Sequence, residues 1–375
     1  MLTAEKNELL TRTSPGSAAA EVMRRYWLPV AVSAQLEQRN PMLVTPFGEK
    51  LSLFRDTSGR LGLIADRCAH RGTSLSAGAE NMKTSGRLAP NGLRCPYHGW
   101  LYDASGQCRD QPGEGAGSER FSANIKIKAY PVQERYGFIW AYMGPGEPPE
   151  LPPIDAMARE DGVRINTIGN WPCNYFQVLE NLVDPVHVSV LHQETDFDQE
   201  KFHAIPTLDV EKTAWGLKTI AGRPGYEREV EFLFPSGVRL GLPIMDPGIM
   251  LVFWIVPVSD TQAQSFHSWF LPLPADTPSD ERDRKVARMK AFIYELDDSD
   301  PIHHASKVNV QDKFACYSQG LIADRTDEHL GRTDMGVNLL RRLYFAAMDD
   351  VKAGRDPVGI VREPFTSVVH FDNVF

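Results

Sequence analysis

Two short stretches, Cys68-Ala69-His70-Arg71-Gly72 and Cys95-Pro96-Tyr97-His98-Gly99-Trp100, constrain this chain more than any other feature. Each offers one thiol and one imidazole, two or three residues apart, with glycine close behind. That spacing lets both side chains of a loop aim at one point, and glycine eases the backbone reversal. Two such loops make a Cys2His2 donor set, so the fold must hold residues 68–72 and 95–100 as neighbouring turns. The other cysteines, Cys108, Cys173 and Cys316, are scattered; five in 375 residues is too sparse and odd a count for a disulfide framework. A reducing compartment with free or metal-bound thiolates fits better.

A Cys2His2 set has two physical readings. One is a structural zinc ion, tetrahedral and redox-silent. The other is a Rieske [2Fe–2S] cluster, with both thiolates on one iron and both imidazoles on the other. A neutral imidazole donates less charge than a thiolate, so the reduction potential rises well above that of an all-cysteine cluster. The Cys-before-His order in each loop favours the cluster, because zinc sites more often begin with paired cysteines. Arg71, Gly72, Gly99 and Trp100 read as turn and packing residues rather than ligands.

The rest of the chain has a clear grain. Residues 1–25 predict an amphipathic helical entry. From Trp27 to about Tyr142, short β-rich runs such as Leu51-Ser52-Leu53-Phe54 are split by Gly, Pro and Asp, which predicts a small all-β module. Gly144-Pro145-Gly146-Glu147-Pro148-Pro149 can continue neither strand nor helix and marks a linker. Beyond it the pattern predicts a helix over 175–192, strands over 205–273, and helices over 279–296, 305–318 and 334–353. This second module is α+β with a central antiparallel sheet. The 40 Lys+Arg against 49 Asp+Glu leave a charge of −9, which argues against nucleic acid because no basic stripe is available to replace counterions. The longest apolar run, 249–256, is eight residues, whereas a membrane helix needs about 20. Met1-Leu2-Thr3-Ala4-Glu5-Lys6 lacks the start of a secretory signal, so the expectation is a cytoplasmic protein with no membrane partner.

A second constellation lies in Asn181-Leu182-Val183-Asp184-Pro185-Val186-His187-Val188-Ser189-Val190-Leu191-His192. Histidines five apart on an ideal helix sit roughly 140° apart and share no face. If both hold one ion, the helix must widen, with a π-bulge as the usual device, or end nearby. Asp184 and His187 are three apart and do share a face. The Asp184 carboxylate can then accept from the imidazole N–H that is not on the metal. Alone, Asp184-Pro185 also reads as an ordinary helix start with Pro at its first position, and a histidine among apolar residues as a satisfied core residue. Beside a one-electron store the metal reading prevails, because stored electrons need a consumer. Two histidines and one carboxylate on non-haem Fe(II) leave positions open for O2 and substrate.

Together, Cys68-x-His70 … Cys95-x-x-His98 and Asn181-x-x-Asp184-x-x-His187-x4-His192 resemble the Rieske non-haem iron aromatic-ring-hydroxylating oxygenases, specifically their α-subunits. The similarity spans nearly the whole chain. Asn7-Glu8-Leu9-Leu10-Thr11-Arg12, Arg25-Tyr26-Trp27-Leu28-Pro29, Gln319-Gly320 and Asp324-Arg325-Thr326 look like the phthalate-dioxygenase-like branch. The resemblance implies an N-terminal helix (1–25) packed on the catalytic domain, a Rieske domain (26–145) and a helix-grip type catalytic domain (146–375). It also implies a third iron ligand on a late helix, for which Asp312 is the candidate. Asp297, Asp298, Asp300 and Asp324 compete; the first two read as surface charges and Asp324 as a salt-bridge partner. His303, His304 and His329 read as structural or exposed. Twenty-four residues separate His70 from Cys95, more than is usual in this family, and the surplus is expected in 80–92.

The resemblance further implies a head-to-tail homotrimer in which Asp184 bridges His187 to the cluster ligand His98 of the neighbouring subunit. NADH electrons arrive through a separate reductase carrying flavin and a plant-type [2Fe–2S] centre; no nucleotide or flavin fingerprint stands out in this chain. The substrate is a small aromatic compound oxidised with O2, in a pocket that includes Asn181. Arg239, on the otherwise apolar run Gly237-Val238-Arg239-Leu240-Gly241, is the candidate partner for a phthalate- or benzoate-like carboxylate, against the alternative of an edge-facing surface arginine. O-demethylation and diaryl-ether cleavage stay open beside ring hydroxylation. A zinc-stabilised binding protein is the rival of a different class, and it would be colourless.

Overall fold

The structure, a computed structural model, describes residues 1–77, 87–115, 118–193, 202–242, 248–296 and 308–371. The chain divides into two compact units, Arg24–Pro148 and Met1–Met23 with Pro149–Phe375. Two short helices, α1 (Ala4–Thr11) and α2 (Ala18–Met23), open the larger unit. Thr3 caps α1 by accepting the Lys6 N–H at 3.2 Å.

Among its described residues the smaller unit has eleven short strands and two short α-helices, α3 (Ser33–Gln38) and α4 (Ser118–Ala123). One sheet has the order β1 (Leu28–Val32), β11 (Phe138–Ala141), β10 (Val132–Arg135). A second runs β2 (Met42–Val44), β3 (Leu51–Arg55), β4 (Leu61–Ala65), β9 (Ala129–Tyr130). The third is a meander of β5 (Leu88–Ala89), β6 (Gly92–Arg94), β7 (Leu101–Tyr102) and β8 (Cys108–Asp110). Its first turn accounts for residues 87–92 of the long segment between the two Cys/His loops; residues 80–86 lie outside the described residues. Phe54, Ile64, Leu75, Leu93, Trp100, Tyr102 and Ile127 form one apolar cluster that also contains Cys68, Cys95 and Cys108. The thiols are thus part of the core of this unit.

The larger unit centres on a seven-stranded antiparallel sheet in the order β12-β18-β17-β16-β15-β14-β13. Its strands are β12 (Gly162–Trp171), β13 (Thr207–Lys212), β14 (Gly216–Arg223), β15 (Tyr226–Leu233), β16 (Gly237–Leu242), β17 (Ile249–Ser259) and β18 (Gln262–Pro272). The apolar run 249–256 is β17, buried along nearly its whole length, which is why it lacks polar alternation. Helix α5 (Asp155–Ala158) precedes the sheet, and α6 (Tyr175–Leu182) and α7 (Val188–Leu191) follow β12. Helices α8 (Ser279–Leu296), α9 (Val308–Tyr317) and α10 (Met335–Lys352) complete the unit.

The single helix predicted over 175–192 is two. Asn174 caps α6 by accepting the Phe176 N–H at 3.0 Å, and α6 ends at Leu182. The break lies at Asp184-Pro185, where proline lacks an N–H and disfavours helical backbone in the residue before it. No π-bulge is needed: the helix ends, and His187 and His192 flank the short α7.

Candidate metal centres

The two Cys/His loops have the same backbone. The Gly72 N–H donates to the Cys68 carbonyl at 2.9 Å, and the Gly99 N–H to the Cys95 carbonyl at 3.1 Å. Each turn closes on a glycine in the left-handed region, Gly72 at φ +76° and Gly99 at φ +77°, where a Cβ would be strained. Cys68 and Cys95 are each only 3% exposed, whereas His70 and His98 are exposed. The two imidazoles lie side by side with ring centroids 4.5 Å apart. Trp100 stacks on His70 at 4.6 Å, nearly parallel.

The Tyr102 hydroxyl lies 3.2 Å from Cys68 Sγ and accepts the Ala69 N–H at 3.0 Å, so its own proton is free for the thiolate. The Cys95 thiol donates to Cys68 and draws its pKa down to about 5 against the opposing effect of burial. For the same reason Cys95 is pushed up. The two thiols perturb each other's ionisation, and a metal would displace the thiol protons. Thiols inside and imidazoles outside form two separate donor pairs. That segregation fits a cluster with sulfur ligands on one iron and nitrogen ligands on the other.

Tyr102 and Asp66 escaped the sequence reading because their contacts come from folding, not spacing. Asp66 Oδ1 accepts from Ser52 Oγ (2.6 Å), Ser76 N (2.9 Å) and Ser76 Oγ (2.6 Å), tying both ends of the first loop. Burial raises its pKa, but the hydrogen bonds from Ser52, Ser74 and Ser76 outweigh that and leave it lowered. A depressed carboxylate stabilises the fold above its unfolded pKa, and that stability is lost as pH falls through the folded pKa. Acid titration of the holoprotein should therefore bleach the visible cluster absorbance below about pH 4. Asp66→Asn should flatten this acid dependence; an unchanged profile would remove Asp66 from the loop's support.

The second site joins three segments. His187 Nε2 and His192 Nε2 lie 3.5 and 3.3 Å from Asp312 Oδ1, and their rings are nearly perpendicular. One ligand atom from each residue lies within 4.8 Å of the others. The rear nitrogens are both engaged: His187 Nδ1 by the main-chain carbonyl of Asp184, and His192 Nδ1 by Gln311 Oε1 at 2.9 Å. Each imidazole thereby donates from Nδ1 and keeps Nε2 for a metal. Asn181 Nδ2 reaches Asp312 Oδ1 at 3.4 Å. Burial opposes ionisation of Asp312, but the hydrogen bond from His192 and both imidazoles hold its pKa below the ordinary range. Burial lowers the His187 pKa. An ionised carboxylate and a neutral imidazole are the states that a divalent metal requires.

Two expectations change here. The Asp184 group that holds His187 is its carbonyl; the carboxylate instead accepts the Val186 N–H at 2.9 Å. The helix break rotates the side chain away from the shared face that a continuous helix would have given. Gln311 was not foreseen, since nothing in a lone glutamine marks it as the residue behind a histidine 119 positions away. Among the rival residues, Asp324 accepts from the Thr326 N–H and hydroxyl and makes a turn, with no salt bridge among the described residues. His329 is exposed. Asp297, Asp298, Asp300, His303 and His304 lie outside the described residues.

A cavity of about 210 Å³ opens beside the triad. Strand parity makes its floor: Val230, Leu240, Leu242, Leu251, Phe253, His267 and Trp269 point into it. Asn181 and Asp184 line it as well, with Phe292 and Lys313 from the late helices. Since Leu240 and Leu242 face the cavity, Arg239 faces the other side of β16. There its Nε and Nη2 each donate to Asp155 at 2.9 Å, both residues being 4% exposed. Arg239 is neither the substrate-carboxylate partner nor a surface arginine. Arg239→Met should strand Asp155 as a buried unpaired charge and destabilise the protein by about 3–5 kcal/mol. Denaturant unfolding measures this, and adding Asp155→Leu should restore most of the loss; a changed substrate KM with unchanged stability would contradict the assignment.

Residues 26–131 match the Rieske [2Fe-2S] domain. The chain is 34% identical to the phenoxybenzoate dioxygenase subunit alpha of Ectopseudomonas oleovorans, over 94% of this chain and 87% of that protein. It is 32% identical to the 5,5'-dehydrodivanillate O-demethylase oxygenase subunit of Sphingobium sp. strain SYK-6, over 97% and 84%. Identity to the phthalate 4,5-dioxygenase oxygenase subunit of Pseudomonas putida is also 32%, over 96% and 89%. The structure of Pseudomonas putida CBB5 NdmB superposes with a TM-score of 0.69 at 25% identity, over 90% of this chain and 96% of that one. An all-β cluster domain and an antiparallel-sheet domain with two histidines and a carboxylate beside a cavity define an iron-dependent oxidoreductase. The chain belongs to the Rieske non-haem iron oxygenases, as an α-subunit of the phthalate-dioxygenase-like branch. Such a subunit carries a Rieske cluster and a mononuclear iron, and draws its electrons, ultimately from NADH, through a separate protein. Among the described residues no helix is long and apolar enough to cross a membrane.

Proposed function

We propose that this chain is the terminal oxygenase that oxidises a small aromatic substrate in the cavity beside His187, His192 and Asp312. Cys68 and Cys95 would hold one iron of the cluster and His70 and His98 the other, and the triad would hold the mononuclear iron. When bound, the cluster supplies single electrons and the ferrous ion supplies open positions for O2. The residues of the chain do the rest. The Asp184 carbonyl and Gln311 orient the two imidazoles. Trp269, Phe253, Phe292 and the leucines of β16 and β17 exclude water and offer a flat ring an apolar bed.

The observation that carries this reading is the two-histidine, one-carboxylate triad opening onto a mostly apolar cavity. The names of the relatives support an aromatic substrate: phenoxybenzoate, phthalate and dehydrodivanillate. The demethylase among them keeps O-demethylation as a second outcome beside ring hydroxylation. The donor is a flavin/[2Fe–2S] reductase, the assembly a head-to-tail homotrimer in the cytoplasm, and Asp184 couples His187 to the neighbouring subunit's cluster.

The test uses the purified holoprotein with a surrogate reductase, NADH and a panel of aromatic acids and methoxylated aromatics. O2 uptake, mass spectrometry of products and formaldehyde release separate hydroxylation from demethylation. Iron-replete protein that consumes no O2 with any aromatic would overturn the reading. A colourless preparation containing zinc would overturn the cluster assignment.

A further inference from the structure

Arg228 lies on β15 in the wall of the cavity and is only 9% exposed. The other buried arginines of the larger unit are each satisfied by the protein. Arg239 forks onto Asp155, Arg325 and Arg341 onto Glu180, and Arg223 donates to the Ala204 and Pro185 carbonyls and Ser189 Oγ. Arg228 has no such partner among the described residues, and its Nε is enclosed without a hydrogen bond. The Phe202 ring, 5.9 Å from the guanidinium carbon, packs against it but offers no acceptor.

Among the described residues, the cavity does not supply the missing counter-charge. Asp312 acts on Arg228 through space, yet its ion pairs are with His187 and His192. A metal held by Asp312 would consume that negative charge. Asp184 lines the same cavity, with its Oδ1 on the Val186 N–H, and Lys313 adds a second cation. A guanidinium taken out of water and left unpaired is costly, and it is retained where an incoming group completes it. The planar fork of arginine matches the two oxygens of a carboxylate.

We propose that Arg228 is the specificity-determining residue for substrate, anchoring a carboxylate on the aromatic ring through the charge pair that the protein leaves open. This rests on the aromatic-oxygenase reading above and adds the charge of its substrate. The chain provides one cavity-facing arginine on β15 and one sheet-buried arginine on β16, and only the first meets a ligand.

The test is equilibrium binding to the cluster- and iron-replete protein, read by intrinsic tryptophan fluorescence, since Trp171 and Trp269 line the cavity. The probes are benzoate against benzamide, and phenoxybenzoate against its amide. In each pair the carboxylate should bind about tenfold tighter or more. Arg228→Gln should abolish that preference while leaving the affinity for the amides unchanged; Arg228→Lys should keep part of it as a point charge. A merely structural arginine would move both members of a pair together. Equal affinity within the wild-type pairs, or a preference that survives Arg228→Gln in protein with normal cluster absorbance and iron content, overturns the proposal. If Arg228→Gln does not fold, the wild-type pairs and Arg228→Lys decide it. Binding of neither member, with no aromatic-dependent O2 uptake, overturns the aromatic reading itself, whereas binding without charge preference overturns this inference alone.

Discussion

His192→Ala is expected to yield protein that is still red-brown but has lost its mononuclear iron. His192 is 4% exposed, with Nε2 3.3 Å from Asp312 and Nδ1 fixed by Gln311. Alanine removes one of three donors and the hydrogen bond between His192 Nδ1 and the Gln311 oxygen. The remaining His187 and Asp312 make a two-point site with poor affinity for a divalent ion. The cluster donors all belong to the other compact unit, and Cys68 and Cys95 to its core, so the visible absorbance should persist. Loss of a group that merely supports a ligand costs roughly 10–100-fold in metal affinity or activity, and loss of the ligand itself should exceed that. Iron and acid-labile sulfide analysis, with EPR of the reduced cluster, checks both halves. Full iron occupancy at the mononuclear site would show that His192 is not a ligand.

Asp184→Asn should act differently: both metal centres stay loaded, and turnover drops by about 100-fold. The structure makes this separation sharper than the sequence did. His187 is held by the Asp184 carbonyl, which the substitution leaves in place, and Asn can still accept the Val186 N–H through its amide oxygen. What changes is the charge of a half-buried carboxylate in the cavity wall. Burial raises its pKa, partly offset by the hydrogen bond from the Val186 N–H. If that charge couples the iron to its electron supply, rapid-mix kinetics should show a slowed reoxidation of the cluster with substrate and O2 present. Near-wild-type turnover in fully loaded protein would remove Asp184 from the electron path.

The parts that were legible in advance are local. Cys68 with His70, and Cys95 with His98, sit on turns whose glycines adopt the left-handed backbone that a tight reversal needs. The helices over 279–296 and 334–353 appear as α8 and α10 because charge and apolar periodicity persist over five turns. The predicted helix over 175–192 failed in its middle although Pro185 was in view. Its apolar content on both sides outweighed one proline in the periodicity, whereas the missing N–H decided the backbone. That break is also how two histidines roughly 140° apart on a helix come to face one carboxylate.

The arginines show where sequence reasoning ended. Arg239 lies among apolar residues, whereas Arg228 sits between Glu227 and Glu229, a pattern that reads as a solvated strand. A shift of one residue in strand register exchanges the two faces of a sheet. The observed pairing of Val230 with Leu240 and of Leu240 with Leu251 puts those residues on the cavity side. Arg239 is thereby sent to Asp155, and Arg228 to the substrate face. Asp312 and Gln311 join the histidines across about 120 residues in the same way.

The sequence by itself determined which donors exist and how each short loop presents them, because a few residues of backbone permit few geometries. Only the tertiary structure decided which distant carboxylate meets the histidines, which oxygen of Asp184 holds His187 and which arginine looks into the cavity. Those outcomes depend on strand register and helix packing, where many weak contacts spread over the chain select one arrangement among neighbours that differ by a single residue.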